Sequence, residues 1–363
     1  AWCRIYWGGI AGADKTALGR LLHPEGLGDD TALRADLEAL AKSASEAISV
    51  CTIPDKDTGS AYTPDESPEA ALAARVLNRR IDADWRITSY SALVAGRHGG
   101  TRGTGETSEP LPESGHTVTN AATPILLETF PKGAGAGDFF HGVLEDIDFT
   151  DDTTIAPAVS ENLDKYGFKG LGLSRMAETS VGHILTTPLK TDTGKGFRLA
   201  EVALGQRFTE LEFCFDLKGL NLNALAGLFD TDPKFVTYAA RLKGMDVSPL
   251  KGFLKGFIDL TVCHDGRWYI LDYKSNYLGP VYEDYDDNSV ALAMADHDYI
   301  LQYHLYLVAL DRYLRFRLKE YEYDTHFGGV FYLFLRGMRP DSDTGIYFHR
   351  PSAEFMGRFQ SML

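Results

Sequence analysis

The period of apolar and polar positions changes several times along the chain. Residues 1–7 (AWCRIYW) form a short apolar run that predicts a strand. In residues 31–50, Leu33, Leu37, Leu40 and Ala41 recur at helical spacing. Residues 52–70 are rich in Pro, Asp, Ser and Thr, a linker composition, and a short helix is expected over Glu69–Asn78. Residues 84–95 begin with a short apolar stretch and then offer Ser89 as a helix N-cap. Residues 96–124 are almost devoid of apolar side chains and predict an exposed loop inside the larger domain. A Gly/Ala loop, Gly133–Gly137, leads into a helix expected over Asp138–Asp148 with Asp138 as its cap, and 153–188 is expected to be helical up to Pro188. From Phe208 onward the period shortens. Strands are predicted at Phe208–Leu217, Phe253–Val262, Trp268–Lys274 and Gly328–Leu335, with a long helix over 289–320 between the last two. The order β, α, β, β, α, β predicts an α/β fold with a mixed sheet flanked by helices.

The sharpest local signal is GFLKGFIDLTVCHDGRWYILDYKS, Gly252–Ser275. Asp265-Gly266 between two β-rich runs specifies a two-residue hairpin turn, because a type I′ turn needs positive φ at both positions. With that turn, position 264 faces 267, and by the same register Asp259 faces Asp272. Alternation puts Trp268, Ile270, Asp272 and Lys274 on one side of their strand and Tyr269, Leu271 and Tyr273 on the other. Two opposed carboxylates repel each other. Either an ion-pair cluster centred on Lys274 or a divalent cation with oxygen ligands resolves that conflict, and parity alone does not choose between them.

Composition narrows the class. An apolar content of 44% over 363 residues is globular and ample for a core, in two domains or one large domain with an appendage. Cys3, Cys51, Cys214 and Cys263 are too few and too scattered for a disulfide scaffold, which suits a reducing, cytoplasmic setting. The longest uncharged apolar run, Tyr299–Leu310, is too short to span a bilayer, and no signal-peptide pattern is present. A formal charge of −15 argues against a free-standing electrostatic nucleic-acid binder. The acidity is uneven, however. Residues 137–165 hold eight acids against Lys165 alone, whereas Arg312, Arg315, Arg317 and Lys319 crowd one helix end.

Asp259 followed by Asp272-Tyr273-Lys274 resembles the D…(D/E)-x-K motif of the PD-(D/E)XK nuclease superfamily. The segments GFLKGFIDL, LDYKSNYLG, LQYHLYLVALDRYLR and HFGGVFYLFLRG, with FPKGAGAGDFFHGVLEDIDF and DWRITSYSAL upstream, resemble the RecB-type nuclease domain within it. The resemblance runs from about Asp84 to the C-terminus. Residues 1–83 look more weakly like the end of a helicase region, including ALGRLL at Ala17–Leu22, followed by a linker. The expectation is therefore a restriction-endonuclease-like core at 84–363 behind a helicase-derived remnant, within a piece of a longer chain. No Walker A motif is present, since Thr193-Gly194-Lys195-Gly196 lacks its spacing.

The resemblance implies a metal-dependent deoxyribonuclease of the exodeoxyribonuclease V type. It assigns metal ligation to His141, Asp259, Asp272 and the Tyr273 carbonyl, placing His141 in the first turn of its helix. Catalytic roles fall to Asp259, Asp272, Lys274 and Glu210, with Glu212 as an alternative to Glu210 on the same strand parity. Gln302 and Tyr306, one turn apart on a helix, would orient the site or touch DNA, with Arg312 and Arg315 further along. The implied cofactor is Mg²⁺, with Mn²⁺ or Ca²⁺ as substitutes. The implied partners are DNA (linear duplex ends and the single strands of unwinding) and RecC-like and RecD-like subunits, with no membrane. A free-standing exonuclease and a catalytically silent scaffold are the competing expectations. The latter is disfavoured by the intact set His141, Asp259, Asp272 and Lys274.

Overall fold

The computed structural model describes residues 30–43, 45, 47–51, 85–90, 122–243 and 250–363. The strand expected at 1–7, Ala17–Leu22, the linker at 52–70, the helix Glu69–Asn78, residues 91–95 and most of the polar loop 96–124 lie outside these residues. The chain divides into two units, Ala1–Asn78 and Arg79–Leu363.

In the first unit, helix α1 spans Asp30–Ser43, shorter than the spacing over 31–50 suggests. Ser43 turns its hydroxyl back onto the Leu40 carbonyl at 2.7 Å, a local bond that competes with helix continuation.

The second unit begins with β1 (Trp85–Ser89), α2 (Ala134–Asp146), α3 (Ile155–Tyr166), α4 (Leu173–Thr186), β2 (Leu189–Lys190) and β3 (Gly196–Phe197). It continues with β4 (Arg207–Leu220), α5 (Leu222–Phe229), α6 (Val236–Lys243), β5 (Leu250–His264), β6 (Arg267–Lys274), α7 (Asp287–Asp296) and α8 (Tyr299–Arg317). The chain ends with α9 (Tyr323–His326), β7 (Phe327–Phe334), β8 (Ile346–His349) and α10 (Ala353–Ser361). The main sheet is mixed. β4 and β6 pair antiparallel with β5, β1 pairs parallel with β5, β7 pairs parallel with β6, and β8 pairs antiparallel with β7. β2 and β3 form a separate antiparallel pair.

Both faces of the sheet are covered, which is why β7 is buried along its whole length. Val330, Tyr332 and Phe334 pack into one core with α5, α8 and α10. Phe331 and Leu333 pack into the other with α2, α3 and α4. The turn Asp265-Gly266 has φ of 49° and 74°, as the hairpin requires, and closes on the pair His264/Arg267. Gly252 has φ of 125° where it pairs with Arg86 of β1; a Cβ there would collide with the Arg86 carbonyl.

Three helix expectations are corrected. α2 starts at Ala134, not Asp138, so the Gly/Ala segment is its first turn, and Gly133 rather than Asp138 precedes it. Burial of Ala136, Phe139 and Phe140 outweighs the poor helix propensity of Gly135 and Gly137. The helix expected over 153–188 breaks into α3 and α4, because Gly167 (φ 70°) ends one and Gly172 (φ 84°) precedes the next. The helix expected over 289–320 breaks at His297-Asp298, where Asp298 takes φ of 59°, giving α7 and α8.

Candidate active site

The site lies where β5 changes neighbours. One edge of β5 pairs with β1 up to Ser89/Lys255 and then with β6 from Leu260/Leu271. The opposite edge pairs with β4, and there the recorded pairs step from Thr209/Leu260 to Leu211/Ile258. Asp259 is therefore unpaired on both sides, at the centre of a cross-sheet row. By register, Glu210 of β4 lies on one flank and Asp272 of β6 on the other. The row continues through Tyr332 and Tyr347, which pair with each other, and Asp272 pairs with Tyr332.

The strands kink at this row. Leu254 and Ile258 of β5 pack into the α8-side core, whereas Leu260 and Val262, of the same parity, pack into the α2-side core. On β4, Leu211 and Phe213 pack toward α8, yet so does Phe208, of opposite parity, which meets Trp268 and Tyr313. Glu210 absorbs the change with φ of 50°, an uncommon backbone for a residue that is neither Gly nor Asn. The strand alternation assumed from sequence does not survive the kink, so Glu210 and Glu212 do not share a role by parity. Glu212 forms an exposed ion pair with Lys255 at 2.6 Å.

Where β5 and β6 part, Asp259 Oδ2 fills the gap by accepting the Tyr273 N–H at 3.0 Å. Hairpin register brings Asp259 and Asp272 opposite each other as expected, but the ladder stops one position short of them. His141 lies two turns into α2, not in its first turn, because the helix begins earlier. Its Nε2 is 3.0 Å from the Tyr273 carbonyl, which can only accept, so that nitrogen carries the proton in a neutral ring. Nδ1 then faces Asp259 Oδ2 at 3.5 Å, lone pair toward carboxylate, a pairing that a proton or a cation reconciles.

On the α8 side, the buried Lys274 ammonium contacts Asp272 Oδ1 at 2.6 Å and lies 4.4 Å from the centre of the Tyr299 ring. Asp272 is 1% exposed, and its Oδ2 has no hydrogen-bond partner among the described residues. Gln302 and Tyr306 join on α8, Gln302 Nε2 donating to Tyr306 Oη at 3.1 Å, while Tyr332 Oη donates to Gln302 Oε1 at 2.9 Å. Arg312 and Arg315 are held elsewhere, Arg312 near Asp216 at 3.5 Å and Arg315 on Asp311 at 2.8 Å.

Crowding sets the electrostatics. Desolvation, then the neighbouring Asp259 carboxylate, raises the Glu210 carboxyl to about 7. The same two causes, in the same order, raise Asp272 against the opposing pull of Lys274. One donor atom each from His141, Glu210 and Asp259 lies within 4.8 Å of the others, close enough to hold a metal ion. This set takes in Glu210 and leaves Asp272 beside it. Two acids whose ionisation is opposed by crowding, a lone pair aimed at a carboxylate and a buried unpartnered carboxylate oxygen fit a hard divalent cation.

Two supporting groups had no distinctive sequence signal. Tyr332, in an otherwise apolar strand, links the row to Gln302. Arg336, 1% exposed, donates to the carbonyls of Ser275, Leu127 and Pro131 at 2.9, 2.7 and 2.5 Å. It thereby ties the segment before α2 to the residue after Lys274.

This row, set between helices on a mixed sheet, is the architecture of a nuclease superfamily. The model for the PD-(D/E)XK nuclease superfamily matches residues 127–358, and the chain belongs to that superfamily. Within it, the chain is similar to the RecBCD enzyme subunit RecB of Escherichia coli strain K12, with 35% identity over 96% of this chain and 29% of that protein. The RecBCD enzyme subunits RecB of Mycolicibacterium smegmatis and Haemophilus influenzae are 34% and 28% identical over 76% and 88% of this chain. The chain spans 29%, 28% and 27% of the length of these relatives, under a third in each case.

Proposed function

We propose that this chain is the divalent-metal-dependent DNA nuclease module of a RecBCD-type helicase–nuclease. In this reading it acts on DNA ends in the cytoplasm beside RecC-like and RecD-like subunits. The observation that supports it most is the row Glu210–Asp259–Asp272 with His141 on one side and Lys274 on the other. His141, Glu210 and Asp259 would hold the cation, with Asp272 completing the acidic wall and the Tyr273 carbonyl fixing the His141 ring. Mg²⁺ suits such an oxygen-rich site, and Mn²⁺ or Ca²⁺ can stand in. When bound, such a cation supplies positive charge beside the phosphate under attack.

The protein's own groups do the rest. Lys274, steadied by Asp272 and by the Tyr299 ring, directs N–H donors toward the row, where they orient water and offset charge on the phosphate oxygens. Gln302, Tyr306 and Tyr332 form a hydrogen-bonded brace behind Asp272. Catalytic roles thus rest on Asp259, Asp272, Lys274 and Glu210, and the brace positions them.

The test is cleavage of linear duplex and single-stranded DNA with Mg²⁺ against an EDTA control. Lys274→Ala and Asp259→Asn are expected to lose at least about 100-fold in rate, the scale of one removed charge-stabilising group. Near-native far-UV circular dichroism must accompany that loss. Cleavage at native rates by either variant overturns the assignment.

A further inference from the structure

Next to the acid row the sheet carries an aromatic surface at the border of the α8-side core, where Trp268 and Tyr313 pack half-buried against that core and Phe208 stands exposed. Phe208, two residues before Glu210 on β4, is 40% exposed. Its ring lies parallel to Trp268 of β6, with an interplanar angle of 2° and centroids 5.7 Å apart. Tyr313 of α8 meets Phe208 edge-on at 6.2 Å, and the Arg317 guanidinium lies 5.9 Å from the Tyr313 ring centre. One turn on, Phe316 is 86% exposed. The basic end of α8, with exposed Arg315, Arg317 and Lys319, borders this patch in a chain whose net charge is −15.

We infer that Phe208, Trp268 and Tyr313 form a stacking platform for the bases of single-stranded DNA next to the bond presented to Glu210, Asp259 and Asp272. The inference rests on the nuclease reading above. Three features select a single strand over other occupants. An exposed Phe208 ring, backed by the half-buried Trp268 and Tyr313 and set beside guanidinium and ammonium groups, matches a chain of bases on a polyanionic backbone, and stacking accepts any base. A duplex keeps its bases stacked inside and offers no free ring faces. The platform is also continuous with the row, since Phe208 is about 7 Å from Glu210 at β-strand rise.

The test measures binding by the full chain in EDTA, so that cleavage does not enter. The probes are a labelled thymidine oligonucleotide and an abasic oligonucleotide of equal length. Phe208→Ser and Trp268→Ala are each expected to weaken thymidine binding roughly 5- to 100-fold, and to change abasic binding by no more than about twofold. Trp268→Phe, which keeps a flat ring, is expected to retain most of the affinity and controls for misfolding. Native-like thymidine binding by both variants overturns the platform, as does equal loss on the abasic strand. No measurable thymidine binding by the native chain overturns it too. The two readings separate cleanly. Absence of Mg²⁺-dependent cleavage with base-dependent binding removes the nuclease and keeps the platform. Cleavage with binding indifferent to Phe208 and Trp268 does the reverse.

Discussion

Asp259 occupies a position of conflict on the sheet. It has lost its pairing partners on both strand edges, accepts the Tyr273 N–H, and has an acid in register on each side. Glu210 carries a further cost, a left-handed backbone. An unpaired ladder, a strained φ and crowded carboxylates each oppose folding, and their coincidence marks a site held for function. The consequence is measurable at Glu210. Glu210→Asn keeps a side chain of similar polarity, suits positive φ better, and removes one of three neighbouring carboxylates. In EDTA its stability to urea is expected to rise by about 1 kcal/mol, from relieved backbone strain and repulsion, while Mg²⁺-dependent cleavage falls. A variant less stable than the native chain would show that Glu210 supports the fold.

At the scale of elements, α8 serves both the site and the core. Gln302 and Tyr306 face the row, whereas His304 is enclosed by Phe229, Phe235, Phe355 and Phe359, with Tyr303 stacked on it, His349 tilted nearby and Lys234 close to His349. Its Nδ1 donates to the Ile300 carbonyl at 2.6 Å. Burial outweighs that bond and lowers the His304 pKa from 6.5 to about 3. The folded state therefore holds His304 neutral while the unfolded chain binds a proton below pH 6.5. Stability from this residue is complete above that pH and is lost as pH falls toward 3. By pH 5 the loss is about 2 kcal/mol. His304→Phe is expected to lose that much less between pH 7 and pH 5 in urea titrations, and equal losses in the two proteins would contradict the assignment.

How far these elements could be read from the sequence follows from how local their causes are. The hairpin was legible because Asp265-Gly266 fixes its own register, and Asp259, Asp272 and Lys274 came with it. Gln302 and Tyr306 were legible because one helix turn brings them together. The kink was not, because it depends on two strands meeting at Glu210 and Asp259, and period-2 reasoning carries straight through it. The break before α8 hid for a similar reason: Asp298 is a buried, left-handed residue whose conformation is set by its surroundings. Tyr332 and Arg336 were missed because each looks like ordinary core or surface until the strand and carbonyls it serves are placed.

For the whole molecule, the acidity and the site belong together. The acidic surface of residues 137–165 repels DNA, and the basic groups near the end of α8 are partly engaged by Asp216 and Asp311. Among the described residues no helix is long and apolar enough to cross a membrane. On the function proposed above, a nuclease of this charge would have its substrate delivered by the motor to which it is tethered. The isolated chain is accordingly expected to bind duplex DNA weakly and with a shallow salt dependence, because it neutralises few phosphates. Titrating a labelled duplex at several salt concentrations checks this, and a steep slope would show that the basic end of α8 engages the duplex backbone.

The union of His141 with Tyr273, across 132 residues of chain, bears on how the protein comes into being. The β5–β6 hairpin can close on microsecond timescales around its two-residue turn, bringing three of the chemical groups together early. The histidine reaches them only when α2 docks on the sheet, and closing so long a stretch of chain carries the larger entropic cost. A chain in which α2 is undocked is thus expected to hold the carboxylates without the assembled centre. On the nuclease reading proposed above, completion of the fold would act as the safety catch on its DNA-cutting centre.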